Sequence, residues 1–84
     1  MLFTITIRVA RKVGVFDPEA AQVQKALVGL GFSTVQKVNM GKLIEVEFDA
    51  VSEDDAKAQG KKMGEDLLAN PVIEKFEIIS VREG

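Results

Sequence analysis

The chain has no cysteine, histidine, tryptophan or tyrosine. Without cysteine there is no disulfide and no thiolate nucleophile; without cysteine and histidine together, the usual zinc ligand sets and imidazole acid–base chemistry are excluded. Proline occurs twice, at Pro18 and Pro71, so each marks a particular break. No apolar run approaches the roughly 18 residues that a membrane helix needs, and the start lacks the basic-then-apolar pattern of a leader. The expectation is a soluble cytoplasmic protein with no membrane partner. A formal net charge of −2 supplies no broad electrostatic footprint for nucleic acid.

What is present is enough for one domain over residues 1–84, with an apolar fraction of 46% that argues against disorder. A domain of this size buries a limited fraction of its surface, so partners often complete its stability. The charge is uneven: basic residues outnumber acidic ones in residues 1–42, and the reverse holds in residues 43–84. Such halves either pair across strands or present a patch to a partner.

Residues 2–9 alternate, with Phe3, Ile5, Ile7 and Val9 on one side and Thr4, Thr6 and Arg8 on the other, which predicts a half-buried strand. Residues 10–16 form a loop bent at Gly14, where Arg11 and Lys12 make an exposed basic pair, either a solvated tip or an anion contact. Asp17 is an N-cap and Pro18 suits the first helical position. Ala20, Val23, Ala26, Leu27 and Leu30 make an apolar stripe, and Gly31 stops the helix with Phe32 folding back.

Residues 34–40 are expected to form a second strand, with a bulge near Gln36-Lys37 because Val35, Val38 and Met40 break alternation. Gly41-Lys42 is read as a tight reversal into a third strand over residues 43–49. Ser52 caps a second helix whose first turn is acidic and whose Glu53–Lys57, Lys61–Glu65 and Lys62–Asp66 spacings suit ion pairs. Gly60 and Gly64 inside it each weaken a helix by about 1 kcal/mol relative to alanine, which suggests close approach to a sheet or a neighbouring subunit. Pro71 prevents continuation, and a last strand runs from about Ile73 to Arg82.

The order β-α-β-β-α-β predicts an α+β, ferredoxin-like sandwich: a four-stranded antiparallel sheet with two helices on one face. The other face would be bare and would display Leu43, Ile79 and Val81, the candidates for self-association into a dimer or tetramer.

Function classes carried by such a fold can be tested on residues. A metal-carrying version needs a Cys-x-x-Cys loop, which is absent. An RNA-binding version needs outward aromatics on its central strands, where this chain has Leu43, Glu45 and Glu47. A small phosphatase needs an anion-cradling loop after the first strand, which residues 8–14 imitate only thinly. Acid pairs such as Glu45/Glu47 and Asp54/Asp55 fall on solvated faces, with no apolar pocket to raise a pKa. A small-ligand sensor domain shares this topology and stays open on fold grounds.

Two blocks carry a family resemblance. The pattern D-P-x-x-x-x-V-x-x-A-L-x-x-L-G-F followed by V-x-x-V-x-x-G-K, over Asp17 to Lys42, resembles the PurS family, the small subunit of phosphoribosylformylglycinamidine synthase. The run L-L-A-N-P-V-I-E, from Leu67 to Glu74, is similar to the family's closing block. The resemblance implies a non-catalytic subunit of purine biosynthesis that has no activity alone and holds no cofactor or metal. It would bridge a glutaminase and a synthetase subunit, which use the glutamine and the ATP, and assist ammonia transfer between them. Asp17, Pro18, Gly41 and Lys42 become the candidate partner contacts. The chain departs from the family pattern at Ala20, where glycine is frequent, and at Asn39, where arginine is frequent; the second departure removes a positive charge near Gly41-Lys42.

Overall fold

The computed structural model of the chain describes residues Met1–Gly84. Three strands, β1 (Leu2–Arg11), β2 (Gly41–Asp49) and β3 (Glu74–Glu83), and two helices, α1 (Pro18–Gly29) and α2 (Glu53–Met63), follow one another as β1-α1-β2-α2-β3, with a π-helical turn over Gly64–Leu68 extending α2. The sheet has three strands in the order β2-β1-β3, and both pairings are antiparallel.

β1 is therefore central. Its alternation places Phe3, Ile5, Ile7 and Val9 on the core face of the sheet, opposite Phe48, Val46, Ile44 and Lys42 of β2. Ile5, Ile7 and Val9 are fully buried. Ile5, Ile7, Val9 and Ala69 form one core cluster flanked by Phe76 and Ile78, and Phe3, Ala50 and Ala56 form a second.

The four-stranded ferredoxin-like sheet expected from the sequence is not formed. Residues 34–40 are irregular. Val35 and Val38 recur at a spacing of three, which gives no single sheet face, and the segment is held to α1 instead by the Gln24 Nε2–H donating to the Gln36 carbonyl at 3.3 Å. No bulge forms at Gln36-Lys37, and Gly41-Lys42 is not a reversal: both residues lie inside β2, paired with Ala10 and Val9. Gly41 has no positive φ. It is small for another reason, because a Cβ there would sit 2.8 Å from the Val9 carbonyl oxygen. With no strand beyond β2, both sheet edges are unpaired.

The local grammar around α1 holds. Asp17 Oδ1 accepts from the Glu19 and Ala20 amides at 3.0 and 3.2 Å. At the other end Gly31, at φ +103°, closes a Schellman turn in which Gly31 N–H donates to Val28 O and Phe32 N–H to Leu27 O, both at 3.1 Å. α1 nevertheless has no extensive packing against any strand of the sheet. Residues 12–40 form an arm, and the molecule measures 50 × 27 × 14 Å with a radius of gyration of 16.3 Å, against about 12 Å for a compact chain of this length.

α2 takes the cover of the sheet alone. The Ser52 hydroxyl accepts from Asp55 N–H at 3.1 Å, and the Asp55 carboxylate accepts from Val51 N–H at 3.2 Å. Gly60 and Gly64 are the close-approach positions: a Cβ on Gly60 would overlap the Ile5 side chain, and one on Gly64 would lie 2.5 Å from the Phe76 ring. The Glu53–Lys57 and Lys62–Asp66 pairs form at 3.7 and 3.3 Å.

β3 contains the bulge that the sequence reading placed elsewhere. Thr6 pairs with Ser80 and Ile7 with Ile78, leaving Ile79 as the extra residue. Phe76, Ile78 and Val81 consequently all pack on the core clusters. Val81, expected on the bare face, is moved to the covered one by this single inserted residue.

Candidate assembly surface

Asp17, Gly41 and Lys42, distant in sequence, are brought together. They line one recess of about 350 Å³ with Arg11, Met40 and Glu74. β1 ends there at Arg11, α1 begins, and β2 begins at Gly41, so the recess is the point where the arm joins the sheet. Arg11 Nε lies 3.5 Å from Asp17 Oδ2, which ties the last residue of β1 to the cap of α1. Pro18 is separate: it faces a different depression with Phe16, Gln22 and Lys25. Lys42 is exposed, and although it sits opposite Val9 on the core side of the sheet, it lies beyond the end that α2 covers.

The second block is architectural. Ala69 is a core residue. Asn70 N–H donates to Glu74 Oε1 at 2.8 Å, Glu74 N–H returns to Asn70 O at 2.7 Å, and Val72 N–H donates to Asn70 Oδ1 at 3.0 Å. These bonds close the turn that feeds β3, and Lys12 Nζ clamps it to the arm through the Pro71 carbonyl at 2.6 Å.

Of the self-association candidates, Leu43 and Ile79 are exposed, and Val81 is half-buried in the core face. The bare side of the sheet is more polar than expected. Arg8 meets Glu77 at 3.6 Å, and Arg82 reaches Glu45 at 3.2 Å. The larger exposed apolar groups lie elsewhere: Phe16, Leu30 and Phe32 on the arm, and Leu67 at the π turn. Leu67 borders a recess of about 460 Å³ with Val46, Met63 and Leu68, the part of the sheet's helical face that α1 leaves uncovered. Sequence reasoning missed this recess, since it assumed that both helices cover one sheet.

No helix is long and apolar enough to cross a membrane.

The PurS family, described as phosphoribosylformylglycinamidine (FGAM) synthase, matches residues 4–82. The PurS subunit of Archaeoglobus fulgidus is 44% identical over 68 residues, covering 81% of this chain and 85% of that protein. The PurS subunit of Methanocaldococcus jannaschii is 36% identical over 77 residues, covering 92% and 93%. Among solved structures, Thermus thermophilus PurS superposes with a TM-score of 0.87 at 34% identity, covering 99% of this chain and 98% of that one. A chain of the PurLQS structure from Thermotoga maritima superposes at 0.83 and 34%, covering 98% and 96%. With the family match running from β1 to β3, and with relatives of nearly equal length superposing along almost the whole chain, the chain belongs to the PurS family.

Proposed function

We propose that the chain is the PurS subunit of an FGAM synthase, acting in purine biosynthesis in the cytoplasm as a non-catalytic bridge between a glutaminase and a synthetase and assisting ammonia transfer. The observation that carries this reading is the full-length likeness to a chain of the PurLQS assembly, together with the M. jannaschii PurS, described as one of the subunits of formylglycinamide ribonucleotide amidotransferase. The residue inventory agrees in kind, since a bridging subunit needs shaped surfaces rather than a nucleophile. ATP and glutamine are used by the partner subunits, and this chain carries no catalytic cofactor of its own.

The subunit also associates with itself. An arm whose Leu30 and Phe32 are exposed, a recess beside Leu67 and two unpaired strand edges are surfaces that a second copy covers.

The test is reconstitution of the synthetase and glutaminase with and without the chain. Glutamine-dependent synthesis should collapse when the chain is omitted, while synthesis from added ammonia should persist. Equal glutamine-dependent rates with and without it would refute the bridging role. Light scattering of the chain alone should give an even oligomer at micromolar concentration, and a stable monomer there would refute self-association.

A further inference from the structure

The charge asymmetry of the sequence becomes a local feature of the fold. Above the arm's junction with the sheet is a second, larger cleft of about 490 Å³. Arg8 and Arg11 reach it from β1, Lys12 from the following loop, Lys37 from the irregular segment and Lys75 from β3, with Asp17 as the one carboxylate in the lining. The lining carries a net +4 on a chain whose formal total is −2.

Some of these charges are engaged. Arg8 shares Glu77 at 3.6 Å, Arg11 shares Asp17 at 3.5 Å, and Lys12 donates to the Pro71 carbonyl at 2.6 Å. Lys37 and Lys75 form no ion pair. Gathering like charges from four chain segments around one concavity is electrostatically unfavourable unless something of opposite sign enters.

From this convergence we infer that the cleft binds a small phosphorylated molecule through its phosphate groups. With Glu77 set against Arg8, the excess of +3 still suits a multiply charged phosphate better than a single carboxylate, and guanidinium forks beside flexible ammonium groups are the usual donors to phosphate oxygens. A concave cleft of this size suits a small molecule better than a flat protein surface. Half of the lining is apolar, with Phe16 at the rim, which leaves room for a ligand body beyond the phosphates. This inference is independent of the bridging role, because it concerns binding by the chain alone.

The experiment is calorimetric titration of the whole chain at low ionic strength with inorganic pyrophosphate, ADP and citrate. Pyrophosphate should bind saturably, more tightly than citrate. Lys37→Gln with Lys75→Gln should weaken it about tenfold, whereas Lys57→Gln with Lys61→Gln on α2 should leave it unchanged. ADP binding more tightly than pyrophosphate, with the difference lost in Phe16→Ala, assigns the site to nucleotides; equal binding assigns it to the phosphate group alone. No saturable binding at millimolar pyrophosphate, citrate binding as tight, or indifference to the Lys37/Lys75 exchange would overturn the inference. Reconstituted glutamine-dependent synthesis is measured separately, so failure of the site and failure of the bridging role are told apart.

Discussion

β1 and α1 both carry a clear apolar periodicity, yet they end in opposite environments. Ile5, Ile7 and Val9 of β1 are fully buried, whereas Ala20 is the one buried residue of α1. The difference comes from neighbours rather than from composition. β1 is flanked by two strands and covered by α2 and Ala69; α1 is held by its own caps and by residues that follow it. An amphipathic helix in isolation is marginal at this length, so the arm has its termini satisfied while its apolar stripe still wants a partner. One region stores the stability of the subunit, and the other offers surface to assembly.

The comparison can be broken most directly at its stable end. Ile7→Ala should destabilise the fold by about 2–5 kcal/mol, because the side chain is fully buried and leaves a cavity; a loss below 1 kcal/mol in urea unfolding, at fixed protein concentration, would mean that the sheet is not the core. Gly64→Ala should be next. The added methyl meets the Phe76 ring, so overpacking of about 1–3 kcal/mol should outweigh the gain in helix propensity, and the melting temperature should fall. A rise would show that α2 can slide away from the sheet.

On the arm the effects should be smaller and local. Asp17→Ala removes the two cap bonds and the Arg11 pairing, and should weaken α1 by about 1 kcal/mol. Hydrogen exchange should then quicken at Glu19 and Ala20 while the amides of β1 keep their protection. Leu30→Ser with Phe32→Ser should change the stability of a dissociated chain by less than about 0.5 kcal/mol, yet shift the oligomer toward monomer in light scattering. Lys42→Ala should have the smallest effect on folding, leaving the melting temperature nearly unchanged while weakening capture of the synthetase and glutaminase subunits. Full-strength capture would remove Lys42 from the contact surface.

Much of this was legible beforehand for reasons that are local. The cap at Asp17, the bend at Gly14, the left-handed stop at Gly31, the acidic first turn of α2 and the packing role of Gly60 and Gly64 each depend on a few consecutive residues. The family was legible too, through two blocks, the second of which forms the turn into β3 and gives Ala69 to the core. The Asp17–Gly41–Lys42 junction was only half legible: its members were singled out one by one, but nothing in the sequence says that they share a recess. Arg8, Lys37 and Lys75 carried no signal as a group, since they come from separate segments.

Capping grammar, periodicity and the spacing of glycine and proline determined, without help, where β1, α1 and β3 lie to within a residue or two and where α2 begins, but not the π turn that replaces its last α-helical turns. They determined also that the chain has no thiolate and no imidazole. The tertiary structure decided the rest. It left residues 34–40 out of the sheet, tied to α1 through the bond from Gln24 to the Gln36 carbonyl. It inserted Ile79 as a bulge and so moved Val81 into the core. Register and helix placement depend on which distant surfaces fit together, and a one-residue slip reverses a strand's faces, so no local pattern contains that information.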